Sequence, residues 1–186
     1  FPQFFGDDWN RTYAAFRLES ERFPGLTAKD GSYSKQEFIN LQRMGLEYGV
    51  RIIPEIDIPA HSLAFAHYKP EIASRKYGMD HLDLYKKETY QFIDSLLDEY
   101  LSGDNPVFIG DLHIGTDEYN KKEAEQYRYF TDRYLKFVEK YGKNVRMWGG
   151  LKWLPGKTPV KAEGVTVNAW SYDWVDPVVS LQDGYK

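Results

Sequence analysis

Short apolar runs, each ending in a cluster of polar side chains and each followed by a helical pattern, constrain this chain to a parallel α/β fold. Val50-Arg51-Ile52-Ile53-Pro54-Glu55-Ile56-Asp57 is one such run, with Pro59-Ala60-His61-Ser62 at its C-terminal end. A second is Val107 to Tyr119, in which an apolar run broken by glycine ends in the adjacent acids Asp117 and Glu118. Val145-Arg146-Met147-Trp148 and Val165-Thr166-Val167-Asn168-Ala169-Trp170 read as two more strands. The strands are of the buried type, and their polar and aromatic residues gather at the C-terminal ends. In a (β/α)₈ barrel, that is the end that carries the active site.

The helices fall between the strands. Ser34 with Glu37 three residues on makes a capping box, and Phe38, Leu41, Met44 and Tyr48 are expected on one buried face before Gly49 closes the helix. A second helix is predicted from about 85 to 101, with Phe92, Ile93, Leu96, Leu97 and Tyr100 sharing a face; Gly103-Asp104-Asn105-Pro106 stops it. A third runs from about 122 to 141, where Ala124, Tyr127, Phe130, Tyr134, Phe137 and Tyr141 form an aromatic stripe that faces the core. Residues 1–30 show no periodicity and carry Pro2, Gly6, Pro24 and Gly25, so they read as a long loop with a short helical turn. Four strands are too few for a barrel, which takes about 250 residues, and the chain has 186. The expected fold is thus α/β of the (β/α)₈ type, with only a central part of the barrel present.

Composition narrows the function. The net charge is −4, and no long Lys/Arg cluster occurs, which argues against a nucleic-acid partner. No apolar run approaches the roughly 20 residues of a membrane span, and no signal peptide opens the chain. There is no cysteine, so disulfides and thiolate chemistry are excluded. Aromatic residues make up 17% of the chain, more than a core ordinarily needs; most are expected to pack, and some to stack on sugar faces.

Asp117 and Glu118 carry the chemistry. Two neighbouring acids in a confined site repel if both ionise, so one is expected to keep its proton or to be neutralised, and a pair with separated pKa values is what acid/base catalysis requires. Gly115 and Thr116 bring backbone close to a ligand, and His113 can orient a carboxylate. These residues carry a resemblance: His113-Ile114-Gly115-Thr116-Asp117-Glu118 is similar to the acidic signature of family 20 glycoside hydrolases, the β-N-acetylhexosaminidases. Pro54-Glu55-Ile56-Asp57-Ile58-Pro59-Ala60-His61-Ser62 resembles a second segment of that family, with Ala60 where the family has Gly. The family's usual form has Gly at the place of Thr116, and Thr116 with Tyr119 looks more like a bacterial surface hexosaminidase and lacto-N-biosidase branch.

The resemblance implies hydrolysis of terminal β-linked N-acetylhexosamines without a cofactor, with the substrate's own 2-acetamido oxygen forming an oxazolinium ion. Glu118 would be the general acid and base, and Asp117 would accept the amide N–H and stabilise the positive charge. His61 and Asp57 would support Glu118, the imidazole tuning its pKa and Asp57 fixing the tautomer. Trp148 and Trp170 would wall the acetamido pocket, with Trp153 or Trp174 further out; His113, Tyr172 and Asp173 are further substrate-binding candidates. Glu55 alternates with Asp57 and either joins the site or pairs with Arg51, while His67 and His81 are expected to be surface or packing residues. The resemblance also places the chain between the loop after the second barrel strand and the start of the seventh, in an extracellular, cell-surface or periplasmic enzyme. The bare sheet edges of such a piece call for a covering partner or self-association.

Two other readings stand beside it. His61, His113, Asp57 and Asp117 are residue types that bind Zn²⁺ or Mn²⁺ in a metal-dependent barrel hydrolase, although no tight His-x-His or His-Glu-x-x-His spacing is present. A partial barrel could also be a non-catalytic piece that binds sugar weakly, because a site drawn from several strand ends loses preorganisation when some are missing.

Overall fold

The structure is a computed structural model, and it describes residues 13–186. The part of the expected loop within residues 1–12 lies outside the described residues, and no helical turn occurs in residues 13–30. From Tyr13 to Asp30 the chain is loop, as expected, with isolated bridges joining Phe16 to Thr27 and Leu18 to Tyr33. The chain divides into two compact units, Phe1–Ile53 with His61–Gly110, and Pro54–Ala60 with Asp111–Lys186.

The first unit holds α1 (Lys35–Glu47), α2 (Leu63–Tyr68), the short strands β2 (Ala73–Ser74) and β3 (Gly78–Leu82), and α3 (Lys87–Leu101). Ser34 and Glu37 close the expected capping box. The buried residues of α1 are Ile39 and Gln42, whereas Met44 and Tyr48 lie open to solvent. That corrects the expected face: Phe38 and Leu41 are half-buried on the Ile39–Gln42 side, and the polar Gln42 is the residue at its centre. Helix α3 buries all five residues assigned to its apolar face. Phe16, Phe23, Phe65, Phe92, Tyr100 and Phe108 pack ring on ring in this unit, for example Phe23 on Phe92 at 4.7 Å and Tyr100 on Phe108 at 5.1 Å. Much of the aromatic content is therefore core, where such pairs add about 1 kcal/mol each beyond burial.

The second unit is a four-stranded parallel sheet in the order β1 (Glu55–Ile58), β4 (Leu112–Gly115), β5 (Val145–Trp148), β6 (Val165–Asn168). Helix α4 (Ala124–Glu139) covers one face with Tyr127, Phe130 and Tyr134 of the expected stripe together with Thr131, Leu135 and Val138, while Ala124, Phe137 and Tyr141 are only half-buried. A short helix, α5 (Pro177–Gln182), follows β6.

Two strands start later than the sequence suggests, and each has a physical reason. Pro54 interrupts the first run: it has no N–H to give to a ladder, and only its carbonyl pairs, with the His113 N–H at 2.9 Å. At the second run, Gln42 takes the backbone for itself. Its Nε2 donates to the Val107 carbonyl at 2.8 Å and its Oε1 accepts from the Ile109 N–H at 3.2 Å, so Val107 and Phe108 are buried but unladdered. The last strand ends at Asn168, which leaves Trp170 on the loop beyond it.

Candidate active site

The site is built at the C-terminal ends of β1, β4 and β5. Glu55 pairs in register with His113, and His113 with Arg146, so these side chains share one face of the sheet; Asp57 and Trp148, two residues further along their strands, share it too.

Gly115 is the hinge of the arrangement. Its φ is +70°, and a Cβ there would stand 1.8 Å from Asp57 Oδ1 and 2.6 Å from Asp57 Cα. Only glycine lets β4 pass this close to the Asp57 carboxyl. Beyond it Thr116 (φ +76°) and Glu118 (φ +51°) are also left-handed. Among the described residues the only other side-chain-bearing residue in that region is His61 (φ +51°). Strained backbone of this kind collects at functional sites, and here it marks both segments singled out from the sequence.

The turn gives the two adjacent acids opposite environments. Asp117 is 6% exposed, and Glu118 is exposed. Carboxylate oxygens of Asp117 and Asp57 lie within 4.8 Å of each other, and both Asp57 oxygens are shut off from solvent. Burial, then the Asp117 charge and the Glu55 charge, push the Asp57 carboxyl well above its ordinary pKa. Asp57 is therefore the protonated one of the two, which removes a like charge from beside the buried Asp117. Spacing along the chain does not reveal that these two carboxyls approach each other, because the residues lie sixty positions apart.

His113 is a neutral imidazole. The Gly115 N–H donates to its Nδ1 at 3.0 Å, and burial lowers its pKa to about 4, with Arg146 acting in the same direction and Asp117 opposing. Glu55 Oε1 stands 3.6 Å from that Nδ1, but an acceptor nitrogen on a neutral ring makes no ion pair. Its proton sits on Nε2, which is buried with no hydrogen-bond partner among the described residues. Among the described residues His113 does not join Asp57 and Asp117 in one cluster of donor atoms.

Glu55 belongs to the site: its Oε1 accepts from Trp148 Nε1 at 2.7 Å, and the indole lies against His113 at 4.7 Å. Trp170 is 38% exposed and donates to the Gly149 carbonyl at 2.9 Å. Trp174 stacks on it at 5.3 Å, Trp153 stacks on Trp174 at 4.9 Å, and Lys121 caps Trp153 with its ammonium 3.0 Å from the ring centroid. Tyr172 is 79% exposed, and Asp173 is exposed on the same loop. The structure leaves both at the surface.

His61 falls in the first unit, three residues beyond β1, with both ring nitrogens shielded from solvent. There it adds to the pull on Asp80, whose carboxyl is raised by burial but brought below its ordinary value overall by the His81 hydrogen bond and the neighbouring imidazoles. His81 Nδ1 lies 2.9 Å from Asp80, and His67 is exposed on α2, in keeping with the surface or packing roles expected of them.

The strand ends of this parallel β/α scaffold thus present a buried acid, an exposed acid beside it and a tryptophan-lined edge. The chain matches the family model for the catalytic domain of glycosyl hydrolase family 20 over residues 11–128. It belongs to that family. It is 31% identical over 115 residues to β-hexosaminidase subunit A1 of Dictyostelium discoideum, covering 56% of this chain and 21% of that protein. With a β-hexosaminidase of Vibrio furnissii it shares 35% over 105 residues, covering 50% and 17%. The chain thus spans about a fifth of the length of these curated relatives. Among solved structures it superposes on the chitobiase of Flavobacterium johnsoniae with a TM-score of 0.74 at 24% identity, covering 92% of this chain and 31% of that one. A β-hexosaminidase mutant of Streptomyces plicatus solved with the product GlcNAc gives 0.72 at 25% identity, covering 92% and 38%. Among the described residues no helix is long and apolar enough to cross a membrane.

Proposed function

We propose that the chain supplies the catalytic acids of a β-N-acetylhexosaminidase, which releases terminal GlcNAc or GalNAc from glycans by substrate-assisted retaining hydrolysis. One observation carries the reading: adjacent carboxyl groups at the end of β4 stand in opposite environments, Asp117 buried against Asp57 and Glu118 exposed. Family membership and the GlcNAc bound to the Streptomyces plicatus relative support the substrate class.

In this scheme the exposed Glu118 protonates the leaving oxygen and then, as its conjugate base, activates water. The anomeric carbon is attacked by the acetamido oxygen of the substrate itself, so no second carboxylate is needed as nucleophile. Asp117 accepts the acetamido N–H and balances the charge of the oxazolinium. A protonated Asp57 removes a like charge from beside Asp117, and a neutral His113 adds no competing positive charge. Trp148, held by Glu55, and Trp170, held by Gly149, wall the sugar pocket.

Hydrolysis of p-nitrophenyl N-acetyl-β-glucosaminide tests the reading. In the intact protein, Glu118→Gln is expected to lower kcat by about 100-fold or more, and an added nucleophile such as azide to restore part of it for this activated substrate. Wild-type activity retained in Glu118→Gln would overturn it.

A further inference from the structure

Thr116 is the residue of the β4 turn to which the scheme above gives no task. It is fully buried and left-handed at φ +76°, a setting that a β-branched residue adopts only when its surroundings enforce it. Two hydrogen bonds enforce it here. The Thr116 hydroxyl donates to the Gly115 carbonyl at 2.5 Å, and the Thr116 carbonyl accepts from the Tyr127 hydroxyl.

Tyr127 reaches the turn from α4. It is buried and lies parallel to Tyr119, ring centroids 6.1 Å apart at 21°, so it contacts the chain on both sides of the acidic pair. Gly150, just past β5, completes the arrangement: a Cβ there would stand 2.9 Å from the Tyr127 hydroxyl and 3.2 Å from the Thr116 carbonyl oxygen. A larger residue at 150 would press the two apart.

Glycine at position 116 would reach the same φ without strain, but it would reach many others as well. The left-handed well open to a side-chain-bearing residue is small, so a threonine forced into it has a narrower range of settings. The next two residues of the chain are Asp117 and Glu118, and the peptide of Thr116 sets the direction in which both leave the strand.

We propose that Thr116 and Tyr127 are positioning residues for the acidic pair: the Tyr127 hydroxyl pins the Thr116 carbonyl, and the narrow left-handed well of Thr116 fixes where the buried and the exposed carboxyl point. The consequence for catalysis rests on the function proposed above; the rigidity of the turn does not.

The test uses Thr116→Gly, Tyr127→Phe and the double variant in the intact protein, read by Tm, by amide hydrogen exchange at residues 117–119 and by steady-state kinetics. Thr116→Gly is expected to leave Tm unchanged or raised, because strain is relieved, while exchange in the turn quickens about tenfold. Its kcat is expected to fall about tenfold, with KM within about twofold, since small misplacement of a catalytic group lowers rate more than binding. The double variant is expected to be no slower than the slower single, because both changes act through one carbonyl. Unchanged exchange and kcat in Thr116→Gly, or losses that multiply in the double variant, overturn the proposal. Quickened exchange in variants of a protein that hydrolyses no N-acetylhexosaminide supports the clamp and defeats the hydrolase reading, which separates the two.

Discussion

Asp57 and Asp117 bring carboxylate oxygens within 4.8 Å of each other across the β1–β4 pair, over a Gly115 whose missing side chain makes the approach possible. Burial, reinforced by the Asp117 charge, keeps a proton on Asp57, so the two acids do not face each other as like charges. Asp117 is the residue assigned to the substrate's amide.

The first prediction concerns pH and Asp57. Its folded pKa is raised above the unfolded value, so its contribution to stability is full below the unfolded pKa and is lost as pH rises toward the folded one. Asn at this position is neutral and does not titrate. Asp57→Asn is therefore expected to gain stability relative to wild type as pH rises above the unfolded carboxyl value of about 4, with a slope of up to about 1.4 kcal/mol per pH unit. Thermal denaturation at a series of pH values measures it; a constant difference across that range contradicts the assignment of the proton.

His113 has the opposite sign. Its pKa falls to about 4 in the fold, so between the unfolded value near 6.5 and 4 the unfolded chain binds more protons, and stability declines as pH is lowered through that window. The decline should reach about 3 kcal/mol. The imidazole carbon and nitrogen resonances, followed by NMR, should show a neutral ring with Nε2 protonated at pH 6. A ring that titrates near 6.5 would contradict both its burial and the Gly115 hydrogen bond.

Gly115→Ala should fail to fold, or lose more than about 4 kcal/mol. The added methyl meets Asp57 backbone as well as its carboxyl, and φ is +70°, so strain and overlap act together. Circular dichroism and the denaturation midpoint report it. A soluble variant with wild-type stability would mean that β1 and β4 do not approach as described.

Trp174 lies between Trp153 and Trp170, at 4.9 and 5.3 Å. Trp174→Ala is expected to loosen the Trp170 wall and raise KM for an N-acetylhexosaminide about three- to tenfold, the size of one or two aromatic contacts, with a smaller effect on kcat. An unchanged KM would remove Trp170 from the pocket.

Much of this was legible in the sequence because it is local. The Ser34–Glu37 capping box, the α3 face and the middle of the α4 stripe depend on residues three or four apart, and the structure keeps them. The acids at the end of β4 stood out because a strand, two unusual backbone residues and two carboxyls are contiguous. What failed to show involves partners far apart in the chain. Gln42 unladders Val107 to Ile109 from 65 residues away, Met44 and Tyr48 are apolar yet exposed, and Tyr127 reaches back to Thr116 by a contact that helical periodicity counts only as core. Glu55 could be placed on the Asp57 face by alternation, but its bond to Trp148 needed the β5 register.

The most direct test of the central claim is inhibition of the intact protein by the thiazoline analogue of the oxazolinium, measured on wild type and on Asp117→Asn with p-nitrophenyl N-acetyl-β-glucosaminide. Wild type should hydrolyse the substrate and be inhibited competitively, at least about 100-fold more tightly than the substrate's KM, and Asp117→Asn should lose both turnover and this tight binding. Hydrolysis that the thiazoline does not inhibit, or that survives in Asp117→Asn, would contradict substrate-assisted catalysis at this pair.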